Sequence, residues 1–233
     1  MSIEIFNIRK RYGNQVVLPS LSMSVGGGEI VGFLGPNGAG KSTTMKIITG
    51  FVVPDSGSVS VCGVDMLKNP IEAKRRIGYL PEHNPLYPDM YVREYLDFVA
   101  GVYKIPSRRA RVDEVIEQVG LTSEYKKTIN SLSKGYRQRT GLAAAIVHNP
   151  DVLILDEPTT GLDPNQIIEI RELIKNFGKE RTVLFSTHIM QEVEAVCDRF
   201  VILNKGTIMT DKKVSDIEKG SLENLFRSLT LDP

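Results

Sequence analysis

The chain has 233 residues, a formal net charge of +1 and two cysteines. Its length suits one large domain, or one with an inserted subdomain, and supports a core without covalent staples. The charge balance directs no strong field at nucleic acid or anionic lipid, and Cys62 and Cys197 make no disulfide framework and suit a reducing compartment. Met1-Ser2-Ile3-Glu4 carries no basic stretch running into an apolar one, so no signal peptide is expected. No apolar stretch has the length of a membrane span, so any membrane association is expected to run through a partner.

Along the chain, Ile3, Ile5 and Ile8 among polar residues, then Leu21, Met23 and Val25 alternating with serines, predict strands closed by a turn at Gly26-Gly27-Gly28. Residues 30–34 are almost wholly apolar, as a parallel strand buried on both faces requires. A Gly-rich loop and a helix over about residues 41–49 follow, then a short strand at 77–80. From Tyr91 to about Val147 the pattern is helical: Tyr95, Phe98, Val99 and Val102 recur at helical spacing. Ser107 is placed to cap a helix carrying Val112, Val115, Ile116 and Val119, ended by Gly120. Strands return at 152–155, 182–186 and 200–203 with helices between, and Asn204-Lys205-Gly206 reads as a hairpin turn into a last strand. The order is a β-rich start, an α/β core, a helical insert and the α/β core again.

Gly35-Pro36-Asn37-Gly38-Ala39-Gly40-Lys41-Ser42 matches the phosphate-binding pattern G-x-x-x-x-G-K-[ST], and it lies between a strand and a helix as that chemistry requires. Its glycines let successive N–H groups turn toward phosphate oxygens, and the helix that follows, with Thr43 in its first turn, presents its positive end to the same anion. Lys41 can reach the β- and γ-phosphates, and the Ser42 hydroxyl can ligate Mg²⁺. The pattern says nucleotide without saying which reaction.

Val152-Leu153-Ile154-Leu155-Asp156-Glu157 is a buried strand ending in two carboxylates, at the end of a parallel strand where ligands bind. Asp156 is placed to hold Mg²⁺, and Glu157 to orient and polarise an attacking water. Taken alone, two such acids could simply cap a strand. His188, in Ser186-Thr187-His188, is by itself as readily a solvated loop residue as one that donates to a γ-phosphate.

Leu132-Ser133-Lys134-Gly135-Tyr136-Arg137-Gln138-Arg139 resembles the signature sequence of the ATP-binding-cassette (ABC) transporter ATPases, in its L-S-x-G-x-x-Q form, and precedes Asp156 as in that family. Ser133 can cap the following helix, so that its hydroxyl and the adjoining N–H groups face an anion. The resemblance covers nearly the whole chain. It implies that Ser133, Gly135 and Gln138 meet the γ-phosphate held by a second cassette, and that Tyr12 stacks on adenine. It implies that Gly161-Leu162-Asp163 is the D-loop and that His188 is the switch histidine. It puts Glu82 of Tyr79-Leu80-Pro81-Glu82 at the Q-loop, as a catalytic or Mg²⁺-contacting residue. Two departures stand out: Glu82 replaces the usual Gln, and Lys134 the usual Gly. Within the family, residues 79–87, 132–139 and 186–194 are similar to those of gliding-motility-associated transporters of Bacteroidetes.

The implied fold is an α/β P-loop ABC ATPase with an N-terminal antiparallel β region. A helical subdomain, roughly residues 84–150, is inserted between core segments 1–83 and 151–233. The implied function is ATP binding and hydrolysis, with Mg²⁺, in a head-to-tail dimer of ATP-binding subunits. That dimer powers a separate transmembrane permease of exporter type at the cytoplasmic face of the cell membrane. No nucleic-acid partner is expected. The alternative is a non-transport ABC ATPase acting on nucleic acid or the ribosome. Its chromosome-associated members insert a long coiled coil, for which no heptad run lies between Lys41 and Ser133, and its translation factors carry two cassettes where this chain has one. A small-molecule kinase would need no signature. The His83–Tyr91 stretch, with two prolines yet Leu86, Tyr87, Met90 and Tyr91, reads either as packing on the helical insert or as a surface for the membrane subunit.

Overall fold

The computed structural model describes residues 1–231. Strand β1 (Ile3–Tyr12) turns back through Gly13 and Asn14 into β2 (Gln15–Val25), antiparallel, with Ile3 opposite Val25 and Tyr12 opposite Gln15. The expected alternating residues, Ile3, Ile5, Ile8, Leu21, Met23 and Val25, are all buried. β3 (Ile30–Leu34) opens a second sheet and leads through the Gly-rich loop into α1 (Lys41–Ile48). β4 (Ser56–Val61) pairs with the free side of β1, and β5 (Val64–Asp65) adds to it, completing a four-stranded sheet in the order β2-β1-β4-β5. A short helix, α2 (Pro70–Arg75), follows.

The second sheet takes β6 (Ile77–Leu80) before three helices, α3 (Val92–Val102), α4 (Arg108–Gln118) and α5 (Lys134–Ile146). The chain re-enters the sheet as β7 (Val152–Asp156), crosses by α6 (Pro164–Gly178) to β8 (Thr182–Thr187), and by α7 (Met190–Val196) to β9 (Arg199–Asn204). β10 (Thr207–Lys213) returns antiparallel through Lys205 and Gly206, both with positive φ (48° and 76°), as a tight hairpin requires. α8 (Leu222–Thr230) closes the described chain and lays Leu225, Phe226 and Leu229 on the core. The strand order is β10-β9-β3-β8-β7-β6, and only the β9–β10 pairing is antiparallel.

Period-two alternation between two buried faces explains why the central stretches of these strands are apolar. On β3, Val31 and Phe33 face the four-stranded sheet and α1, while Ile30 and Leu34 face the helical side. On β7 the pairs are Val152 with Ile154, and Leu153 with Leu155; on β9 they are Val201 with Leu203, and Phe200 with Ile202. Each such side chain stabilises the fold by about 1.5–3 kcal/mol. A polar residue on either face would have no solvent to meet.

The helical segment corrects two expectations. On α3 the buried face is Val92, Tyr95, Leu96 and Ala100, whereas Phe98 and Val102 are 48% and 65% exposed. The spacing is helical, but packing against α4 and α5 selects a neighbouring stripe. Ser107 occupies the N-cap position of α4 and makes no side-chain capping bond; its backbone carbonyl accepts from Arg111 N instead. Arg111 in turn reaches the carbonyls of Ile146 and Val147, each at 2.9 Å, and so satisfies the C-terminal end of α5.

His148, just past α5, stacks on Tyr103 with ring centroids 3.8 Å apart and 3° between planes, and its Nε2 lies 2.9 Å from Ile77 O. Burial lowers its pKa from 6.5 to about 4. The unfolded chain therefore binds this proton more readily, and stability present above pH 6.5 is lost as pH falls toward 4. The loss is up to about 3 kcal/mol, since each tenfold difference in proton affinity between the folded and unfolded chain is worth roughly 1.4 kcal/mol. Denaturant melts at pH 7 and about pH 4.5 check this: His148→Phe should shrink the difference between them.

Candidate active site

The Gly-rich loop is shaped by backbone conformations that side chains resist. Gly38 and Gly40 have φ of 79° and 105°, and a Cβ on Gly40 would lie 2.8 Å from Leu18 Cδ2. Within the loop, Ala39 N donates to Pro36 O at 3.1 Å, and Thr44 N donates to Gly40 O at 2.9 Å as the helix begins. Lys41 Nζ donates to the carbonyls of Gly35 (2.6 Å) and Pro36 (3.3 Å), arching over the loop that would wrap a phosphate. Burial pushes the Lys41 amine below its usual pKa, while the carboxylates of Glu157, Asp156 and Glu82 pull it back up. Glu82 in place of a neutral Gln thus adds a third, smaller contribution to that upward pull.

Asp156 ends β7 only 2% exposed. It accepts from Ser186 Oγ at 2.6 Å and from Ser42 Oγ at 3.3 Å. A carboxylate beside a hydroxyl is an oxygen-only pair of the kind that Mg²⁺ takes together with phosphate oxygens and water. Among the described residues no group of three or more His, Cys, Asp and Glu side chains could hold a metal, so the remaining ligands would come from the nucleotide and solvent.

Glu157 leaves the strand with φ of 51°, in the left-handed region that a non-glycine residue enters at a cost of order 1 kcal/mol or more. That reversal breaks the alternation of the strand, and the two carboxylates take different partners. Its N–H donates to Ser186 Oγ at 3.0 Å, which holds the strained turn. Glu157 Oε2 accepts from Thr160 Oγ1 at 3.2 Å and lies 2.8 Å from His188 Nδ1. Ser186 therefore holds the Asp156 carboxylate by its proton and the Glu157 backbone by its lone pair. Ser186 and Thr160 carried no sequence signal for these roles, since each is an ordinary hydroxyl and Ser186 meets both acids only across the sheet.

One cavity gathers Tyr12, Asn37, Gly38, Ala39, Gly40, Lys41, Ser42, Thr43, Glu82, Glu157 and His188, together with Thr160 and Gln15. Tyr12 stands half-exposed at its wall, with Lys10 Nζ 5.5 Å from the ring centroid. Ser133, Gly135, Gln138 and Asp163 do not line this cavity. Ser133 caps α5, accepting from Tyr136 N at 3.4 Å, and is exposed. Gln138 Nε2 donates to Pro158 O at 2.9 Å. Asp163 caps α6, accepting from Gln166 N at 3.0 Å, in a reciprocal capping box. Within one chain these four therefore lie outside the phosphate cavity, three of them with hydrogen-bond partners of their own.

A strand–glycine loop–helix unit, with a buried hydroxyl–carboxylate pair and a second acid lining the cavity, defines a P-loop nucleotide hydrolase. The model of the ABC transporter family matches residues 18–160. The bacitracin transport ATP-binding protein BcrA of Bacillus licheniformis is 40% identical over 93% of this chain and 71% of its own length. The Nod factor export ATP-binding protein I of Burkholderia orbicola is also 40% identical, over 88% of this chain and 68% of its own. A solved ATP-binding cassette, in a dimeric post-hydrolysis state bound to ADP and phosphate, superposes with a TM-score of 0.83. It shares 25% identity and covers 91% of this chain and 98% of the other. The chain belongs to the ABC transporter family, as its ATP-binding, ATP-hydrolysing subunit.

Proposed function

We propose that this subunit drives an exporter. Two copies would close head to tail over two ATP molecules, each site taking its phosphate loop from one chain and Ser133, Gly135 and Gln138 from the other. The observation that carries this reading is the separation within one chain of the phosphate cavity from the exposed, capped start of α5. That helix end offers N–H groups to an anion that its own chain does not bring to it. Support for dimer closure comes from the dimeric cassette, and support for export from the Nod factor relative. The narrower resemblance to gliding-motility transporters rests on the three segments 79–87, 132–139 and 186–194 alone.

In this reading Lys41 and the loop N–H groups bind the β- and γ-phosphates. Ser42 and Asp156 hold Mg²⁺, which when bound supplies positive charge to the phosphate oxygens. Tyr12 stacks on the base. Glu157 polarises water, and His188 holds Glu157 and donates toward the γ-phosphate. Glu82 stands on the cavity wall between this chemistry and the segment beyond it.

Among the described residues no helix is long and apolar enough to cross a membrane. The proposed attachment is a partner at the cytoplasmic face of the cell membrane, as for the ATP-binding subunits this chain resembles. A second cavity, beside Glu82, is walled by Phe51, Tyr79, Pro85 and Val99 and rimmed by Lys46 and Lys74, with no acidic side chain in its lining. It fits a short cytoplasmic helix of the permease that carries an apolar face and an acidic residue. The neighbouring aromatic segment divides: Leu86 and Met90 pack on the core, while Tyr87 and Tyr91 are half-exposed, Tyr87 edging Tyr95 and Phe98 at 5.9 Å. Tyr87→Asp should leave the melting temperature and soluble ATPase activity nearly unchanged and abolish co-purification with the membrane subunit. Transport at the wild-type rate by Tyr87→Asp would place the docking surface elsewhere. Leu86→Asp should instead destabilise the chain.

A further inference from the structure

Glu192, on α7, is 1% exposed and lies outside the nucleotide cavity. Its Oε2 accepts a hydrogen bond from Thr187 Oγ1 at 2.7 Å. The same hydroxyl accepts from Ile189 N at 3.1 Å. Thr187 and Ile189 flank His188, so one oxygen atom ties together the two sides of the turn that carries the imidazole. Thr187 is fully buried, at the end of β8, and its hydroxyl proton is spent on Glu192.

The second carboxylate oxygen, Oε1, is buried with no hydrogen-bond partner. It faces Arg171 Nη2 at 3.8 Å, and Arg171 Nε is also buried and unpartnered. Burying a carboxylate with a single hydrogen bond and one loosely placed cation is costly, and well-packed apolar side chains commonly do as well or better at such positions. Filling space therefore does not explain Glu192. What only an acceptor can do here is hold the Thr187 hydroxyl in the one rotamer that leaves its lone pair for Ile189 N. Arg171 supplies the compensating charge from α6, the helix that begins just after Asp163.

We infer that Glu192 and Thr187 are positioning residues for His188: their hydrogen bond sets the turn that brings the imidazole to Glu157. The inference rests on the reading that Glu157 and His188 act in hydrolysis. Glu192 lies outside the nucleotide cavity, and its influence on the reaction runs through the backbone on either side of His188. Misplacing a reacting group by about an ångström costs up to about a hundredfold in rate, so loss of the tie should be visible in turnover while the phosphate loop still binds ATP.

The test is Thr187→Val, which removes the hydroxyl while keeping the β-branched shape in β8. The expected result is a fall in kcat of about ten- to a hundredfold, with the KM for ATP within about twofold. Of the three imidazole signals, from His83, His148 and His188, that of His188 alone should move in the NMR spectrum. Thr187→Ser, which restores the hydroxyl, should recover most of the rate. Thr187→Ala gives the same reading by an independent route should the valine not fold. Glu192→Gln keeps an acceptor for Thr187 and should retain most of the activity. Wild-type kcat in both Thr187→Val and Thr187→Ala would overturn the inference. So would a loss that Thr187→Ser does not repair, or one that leaves the His188 signal in place. Each of these outcomes leaves the role of Glu157 intact, because that role is read from Glu157→Gln alone.

Discussion

Glu157→Gln is expected to lower ATP turnover by about two orders of magnitude or more, the usual size for losing a group that activates the attacking water. The replacement is nearly isosteric. The Gln carbonyl can still accept from Thr160, and the backbone N–H can still donate to Ser186, so the strained turn at φ 51° should persist. What disappears is the negative charge, and with it both the polarisation of water and the charge-assisted contact to His188 Nδ1. ATP binding should survive, since Lys41, Ser42, Asp156 and Tyr12 are untouched. Phosphate release in single- and multiple-turnover assays, alongside nucleotide binding, separates the two effects. Wild-type turnover in this variant would remove Glu157 from the chemistry.

The second large effect is expected at Ser133. Losing its cap on α5 costs the fold about 1 kcal/mol, too little to unfold the chain. Ser133→Arg nevertheless sets a bulky side chain at the exposed helix end that should meet the γ-phosphate of the other subunit. Turnover is expected to fall by about a hundredfold, comparable with removing a preorganised donor from a reacting anion, with the melting temperature little changed. Complementation gives the geometry. A dimer of one Lys41→Ala chain and one Ser133→Arg chain places both defects in the same composite site and leaves the other site whole. Such mixed dimers should hydrolyse ATP faster than either parent. Unaltered turnover in Ser133→Arg would sink the composite site.

Much of this was legible in the chain because it rests on local chemistry. The phosphate loop needs its glycines, lysine and serine within eight positions, and residues 35–42 supply them. The parallel strands were visible because both faces are buried, which makes β3 and β7 apolar until the carboxylate at the end of β7, and β8 largely so. The miss at β4 has the opposite cause: in Ser-Gly-Ser-Val-Ser-Val only Val59 and Val61 are buried, too short an alternation to stand out. The pair β5 and α2 and the terminal α8 were likewise unsignalled. The face of α3 depended on where α4 and α5 fall, so the exposed Phe98 and Val102 could not be told from core by spacing. Ser186 and Thr187 are hidden for a related reason. Asp156 and Glu157 meet Ser186 only through sheet pairing, and Glu192, five residues beyond Thr187, meets it only once the turn between β8 and α7 has formed.

If ATP joins two of these chains across a shared site, the most direct measurement is the solution mass of the Glu157→Gln protein by light scattering, with and without ATP and Mg²⁺. Slowed hydrolysis should hold the closed state long enough to weigh. The expected masses are that of the monomer without nucleotide and twice that with ATP, reverting to the monomer when Ser133→Arg is added to the same chain. A Glu157→Gln protein that binds ATP yet keeps the monomer mass at saturating ATP and Mg²⁺ would contradict the shared site.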